Sequence, residues 1–96
     1  MENTNKNEAN KAIVLKHVDA VRAALRSEPP SAQVTEALAQ CDRLQLAISQ
    51  FHAEGLRFAA FTLLRMTLSP ATPLGAPVQG AAQDLKAALV AAGFPH

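Results

Sequence analysis

The stretch that decides the fold is Ser31 to Leu68, SAQVTEALAQCDRLQLAISQFHAEGLRFAAFTLLRMTL. It contains no proline, and small or apolar residues recur at alternating spacings of three and four, which is typical of a helix with one packing seam. The seam residues are Val34, Ala37, Cys41, Leu44, Ile48, Phe51, Gly55 and Phe58. The sequence therefore predicts one continuous amphipathic helix over 31–68.

A shorter helix is predicted on each side of this long one. The first spans about 11–27 and ends before Pro29 and Pro30, and the second spans about 77–92 and ends at Gly93, a typical left-handed helix terminus. Their apolar stripes are Val14, Val18, Val21 and Leu25 in the first and Val78, Ala82, Leu85, Leu89 and Ala92 in the second. We expect an all-α fold in which each short helix packs antiparallel on one half of the long helix.

Composition agrees with a small helical domain. Hydrophobic residues make up 49% of the 96 residues and charged residues 18%, with no Trp or Tyr. Residues 1–10 are polar and rich in Asn, so we expect a disordered tail before a single helical domain over 11–96. No apolar run resembles a secretory signal or a membrane span, which favours a cytoplasmic protein.

The second half of the predicted long helix is apolar on nearly every side, and one short helix can cover only one side of it. Phe61, Leu64 and Leu68 lie on the same face as the polar residues of the first half, with Arg57 and Arg65 beside them. We expect a second copy of the chain to cover this face, which completes the bundle as a homodimer centred near Phe61 and Leu64. The alternative is that the helix bends near Gly55 and forms a monomer's core.

A second group of residues, Phe51, His52, Gly55 and Phe58, marks a possible ligand pocket. Gly55 destabilises a helix interior, so we expect close approach of another helix there, or a kink. His52 suits a proton switch, a ligand or a phosphoacceptor, or a hydrogen-bonded residue at a helix contact. Cys41 and His52 are too far apart on one helix to share a metal ion, and no metal or cofactor is expected.

The sequence contains no catalytic motif, so we do not expect an enzyme. The interpretation it favours is a non-enzymatic dimerisation or protein-interaction module that binds an unidentified protein partner. One alternative is a helical bundle that binds a small apolar or amphipathic anionic ligand. The other is a nucleic-acid-binding regulator that uses Lys11, Lys16, Arg22 and Arg26, although a net charge of +1 does not favour nucleic acid.

Overall fold

The computed structural model describes residues 2–50, 52–71 and 73–94, and for residues 2–7 it describes the backbone alone. All regular secondary structure in these ranges is helical. The four helices are α1 (Glu2–Arg26), α2 (Ala32–Gln50), α3 (Ala53–Thr67) and α4 (Ala76–Ala92). The prediction of an all-α helical bundle is confirmed. None of the helices in the described part of the chain has the length and apolarity needed to cross a membrane.

Two helix ends form as their sequences predict. After Pro29 and Pro30, the backbone N–H of Val34 donates to the Ser31 hydroxyl oxygen at 3.1 Å, so Ser31 caps α2. At the end of α4, Gly93 adopts φ 73°, and its N–H donates to the carbonyls of Leu89 and Val90. These bonds satisfy carbonyl groups that the last turn of a helix otherwise leaves unpaired.

The continuous helix predicted for 31–68 is not present, because α2 ends at Gln50 and α3 begins at Ala53. The backbone N–H of His52 donates to the carbonyl of Ala47 at 3.0 Å, and His52 itself is extended, with φ −86° and ψ 97°. In a straight helix, each half of the apolar stripe would contact only one short helix. When the segment folds into two helices, the two halves bury their apolar stripes against each other, and this burial favours the break. The spacing of apolar residues alone does not show it.

The helices form an antiparallel bundle in which each lies beside the next and α4 lies beside α1. The side-chain amide of Gln33 at the start of α2 donates to the carbonyl of Met66 at the end of α3, at 3.2 Å. The N–H of Gly75 donates to the carboxylate of Glu28 at 3.2 Å, which joins the start of α4 to the end of α1. The predicted arrangement, with one short helix on each half of a long one, is thus replaced by four helices side by side.

Helix α1 begins at Glu2 rather than at Lys11, so its backbone includes most of the polar segment for which we expected disorder. An established helix extends at little cost per residue, and Lys11 forms an i,i+3 ion pair with Glu8 at 3.7 Å. Met1 lies outside the described residues.

The core draws one apolar stripe from each helix. The predicted stripe of α1 is fully buried, as are the first four residues of the stripe predicted for α4. In α2, the five predicted seam residues Val34, Ala37, Cys41, Leu44 and Ile48 are buried. Beyond the turn the buried stripe advances by one position, to Leu56, Ala59, Ala60, Leu63, Leu64 and Thr67. The predicted seam residue Phe58 is consequently exposed, and Phe51 lies outside the described residues.

Candidate interaction surface

Helix α3 carries a stripe of exposed side chains on the side opposite the core. Its members are Glu54, Phe58, Phe61 and Arg65, whose spacings of four, three and four place them on one helix face. Phe58 is 67% exposed and Phe61 is 53% exposed, which is unusual for a residue type that is normally buried in small domains. We call these four residues the α3 stripe.

The predicted dimer-interface residues divide between the core and the surface. Phe61, Arg57 and Arg65 are exposed, whereas Leu68 is half-buried against the core. Leu64 is only 8% exposed, because it packs inside the bundle of a single chain. Leu64 is therefore too buried to form the centre of an interface with Phe61. The exposed apolar centre lies between Phe58 and Phe61, one turn closer to the start of α3.

The charges of the α3 stripe lie at its two ends. Glu54 is in the first turn of α3 and Arg65 is in its last turn, so each has the sign that the helix dipole favours at that end. Both are exposed, and neither forms an ion pair with another described residue. The stripe is thus acidic at one end, apolar in the middle and basic at the other end.

Three of the four predicted pocket residues, His52, Gly55 and Phe58, line one open groove between α2 and α3. Phe51 lies outside the described residues. Arg43 and Leu46 line the same groove from α2, and Leu46 is 58% exposed. The groove therefore has an apolar wall next to a cation, and it adjoins the α3 stripe through Phe58.

His52 has a local structural role in this groove. Its Nδ1 accepts a hydrogen bond from the backbone N–H of Gly55 at 3.0 Å, so His52 is the N-cap of α3. Of the roles expected for His52, this corresponds to the hydrogen-bonded residue, although the bond is to its own helix. A Cβ atom at position 55 would lie 2.6 Å from that same Nδ1, which explains the glycine. The crowding at Gly55 therefore comes from the cap of its own helix and not from another helix. The alternative that we expected, a bend near Gly55, agrees with the break between α2 and α3.

The cationic side chains proposed for nucleic-acid binding are partly engaged within the fold. Arg22 donates to the carboxylates of Asp19 and Asp42 and to the side-chain oxygen of Gln45, and its side chain is only 13% exposed. Lys11 is paired with Glu8. Helix α1 therefore presents less positive potential than its sequence indicates.

Cys41 lies on α2 and is fully buried in the core of the bundle. Burial raises the pKa of its thiol to about 11, and the positive charge of Arg22 opposes this shift only in part. A thiol in this state is a weak nucleophile at neutral pH. Across the described ranges, no three His, Cys, Asp or Glu side chains come together in a way that would hold a metal ion.

Comparison with known proteins yields no match to a family model, to a curated protein or to a solved structure. The exposed surface of the chain is therefore the guide to its function. Glu54 and Leu46 were not identified from the sequence, and Phe58 was assigned both to the packing seam and to a possible ligand pocket. The spacing of Glu54, Phe58, Phe61 and Arg65 places these residues on one helix face, and this can be read from the sequence. That the face points outward follows only when α3 is treated as a separate helix from α2.

Proposed function

We propose that this chain is a non-enzymatic helical interaction module that forms a homodimer through the α3 stripe. The observation that carries the proposal is the exposure of Phe58 and Phe61 on the outer side of a helix whose inner side is already packed. Neighbouring large apolar side chains on a small domain are typical of a protein-interaction surface. Aromatic residues of this kind are the usual anchors of such surfaces.

The area involved indicates the strength of the contact. The exposed fractions of Phe58 and Phe61, 67% and 53%, add up to 1.2 phenylalanine residues, or about 180–300 Å² per chain. Two copies would bury about 360–600 Å² through these residues, against about 1,200–2,000 Å² in total for a stable interface. Flanking groups such as Leu46, Leu68 and the stems of Arg57 and Arg65 must contribute the remainder. We therefore expect a reversible dimer whose population depends on concentration in the micromolar range.

Sedimentation velocity over a roughly hundredfold concentration range tests the proposal. We expect the wild-type mass to rise toward that of a dimer and the variant carrying both Phe58→Lys and Phe61→Lys to stay monomeric. Ile13→Lys is the matched control, because Ile13 is also 53% exposed but lies on α1. Far-UV circular dichroism confirms that each variant remains helical. A wild-type chain that is monomeric throughout, or a dimer that the double variant leaves intact, refutes the proposal.

A second candidate function, binding of a small amphipathic anion, is supported by the groove between α2 and α3. Arg43 is exposed and its guanidinium lies 3.7 Å from the Glu36 carboxylate, so a ligand carboxylate would compete with that ion pair. The apolar side chains of Leu46 and Phe58 suit a short alkyl chain attached to the carboxylate. Titration with decanoate, followed by NMR of the backbone amides, tests this candidate. Saturable shifts confined to the groove and lost in Arg43→Gln support it, whereas an absence of saturable shifts contradicts it.

A further inference from the structure

From the charge order of the α3 stripe we infer that two copies pair α3 against α3 in antiparallel orientation, about a two-fold axis that passes midway between Phe58 and Phe61. This inference rests on the proposed homodimer and specifies its geometry. Phe58 then lies opposite Phe61 of the partner subunit, and Glu54 lies opposite Arg65 of the partner subunit. Because the axis is two-fold, each of these contacts occurs twice.

The register follows from the positions along the helix. With a rise of about 1.5 Å per residue, Phe58 and Phe61 each lie about 2 Å from the midpoint along the axis. Glu54 and Arg65 each lie about 8 Å from the same midpoint, on opposite sides. One axis therefore matches the aromatic pair and the charged pair at the same time, which makes the stripe complementary to itself.

Other pairings of the same stripe are less favourable. A parallel pair in register would place Glu54 against Glu54 of the partner subunit and Arg65 against Arg65 of the partner subunit, and like charges repel. An antiparallel pair shifted by one heptad toward the start of α3 would bring Phe58 against Glu54 of the partner subunit. A shift in the other direction would bring Phe61 against Arg65 of the partner subunit. Each shift gives up both the aromatic contact and the ion pair.

The surroundings of the stripe are compatible with this approach. The α3 residues that contact the rest of the bundle, such as Leu56, Ala60 and Leu63, point away from the stripe and are already buried. Glu54 and Arg65 carry no competing ion pair with a described residue, so pairing with a second copy does not require an existing contact to break. The antiparallel orientation also sets the two helix dipoles in opposite directions, which is favourable.

Charge reversal with mixing tests the pairing at low ionic strength. In a Glu54→Arg homodimer, each of the two ion pairs is replaced by a pair of arginines that repel each other. In an Arg65→Glu homodimer, each is replaced by a pair of glutamates that repel each other. We expect each single variant to dimerise about tenfold more weakly than wild type. An equimolar mixture of the two variants restores both opposite-charge pairs, so we expect it to form a heterodimer of near wild-type affinity. The variant with both reversals regains two opposite-charge pairs between identical chains, with the signs exchanged, and should dimerise like wild type.

Asp84→Arg, an exposed reversal on α4, serves as the control and should leave affinity unchanged. Glu54→Gln and Arg65→Gln replace the reversals if either of those disturbs the helical signal, and each should weaken the dimer less than a reversal does. A dimer that the double Phe variant abolishes, but whose charge-reversed variants fail to complement each other, overturns the antiparallel pairing and leaves the proposed function standing. A monomeric wild type overturns both.

Discussion

The cap at the start of α3 makes a quantitative prediction about two residues that contact each other. His52 is exposed, so its replacement by alanine removes little packing and mainly removes the hydrogen bond to the Gly55 N–H. Loss of an N-cap costs about 1 kcal/mol, within a range of about 0.5–2 kcal/mol. For a domain of this size that corresponds to a fall in Tm of about 4–8 °C. His52→Asn retains a capping side chain and should lose less than half as much.

Gly55→Ala has two opposing effects. Alanine stabilises a helix by up to about 1 kcal/mol relative to glycine. The new Cβ atom, however, would lie 2.6 Å from Nδ1 of His52, so the imidazole must move away and the cap is lost. We therefore expect Gly55→Ala to be close to neutral in the wild type. In a His52→Ala background there is no ring to displace, and the same substitution should stabilise by about 1 kcal/mol.

Urea denaturation of the four proteins, followed by circular dichroism at one low protein concentration, measures this cycle. A low concentration matters because dimerisation adds to apparent stability. We expect the double variant to be about as stable as wild type, which gives a coupling of about 1 kcal/mol between the two sites. Strict additivity, with the double variant as unstable as His52→Ala alone, would refute the reasoning that the glycine makes room for the cap.

Three further predictions concern the core and one helix end. The side-chain oxygen of Gln40 is buried and has no hydrogen-bond partner among the described residues, whereas its amide Nε2 donates to the Glu36 carboxylate at 3.2 Å. Gln40→Met removes the unsatisfied oxygen and this hydrogen bond together, and because the two effects are of similar size, about 1–3 kcal/mol each, we expect the free energy of unfolding in urea titrations to change by less than about 1 kcal/mol. Because burial raises the pKa of the Cys41 thiol from 9.0 to about 11, stability should hold below pH 9 and fall toward pH 11, by on the order of 2–3 kcal/mol. Alkaline urea titrations should show a shallower slope for Cys41→Ala. Gly93→Ala forces alanine into the left-handed region and should cost about 1–2 kcal/mol by the same assay.

Much of the secondary structure could be predicted because local signals decide it. The spacing of the valines in α1, the prolines before Ser31 and the glycine at position 93 act through neighbouring residues of the same helix. The break before α3 depends on an energy balance across the whole chain. A continuous helix and a helical hairpin satisfy the same spacing pattern, and the hairpin is favoured because it buries both apolar stripes in one bundle.

The candidate site could be predicted only in part for the same reason. Arg57, Phe61 and Arg65 were identified because the second half of the segment carries more apolar surface than one short helix can cover. Leu64 was assigned to the interface, and Phe58 to the packing seam and a possible ligand pocket, because both assignments assumed a single helical phase through Gly55. A shift of the buried stripe by one residue rotates the helix by about 100°, which is enough to exchange the positions of these two residues.

The turn before α3 and the α3 stripe are therefore linked. Continued in phase, the seam of α2 would place Phe58 on the buried side, where it would contribute to the core. The break after Gln50 and the cap at His52 set a new phase in which Leu56 and Leu63 fill that role, and Phe58 turns outward beside Phe61. Two large aromatic side chains would have strengthened the interior of a small domain, whose stability margin is narrow. Their placement at the centre of an exposed stripe, between an acidic end and a basic end, is accounted for if a second chain covers them.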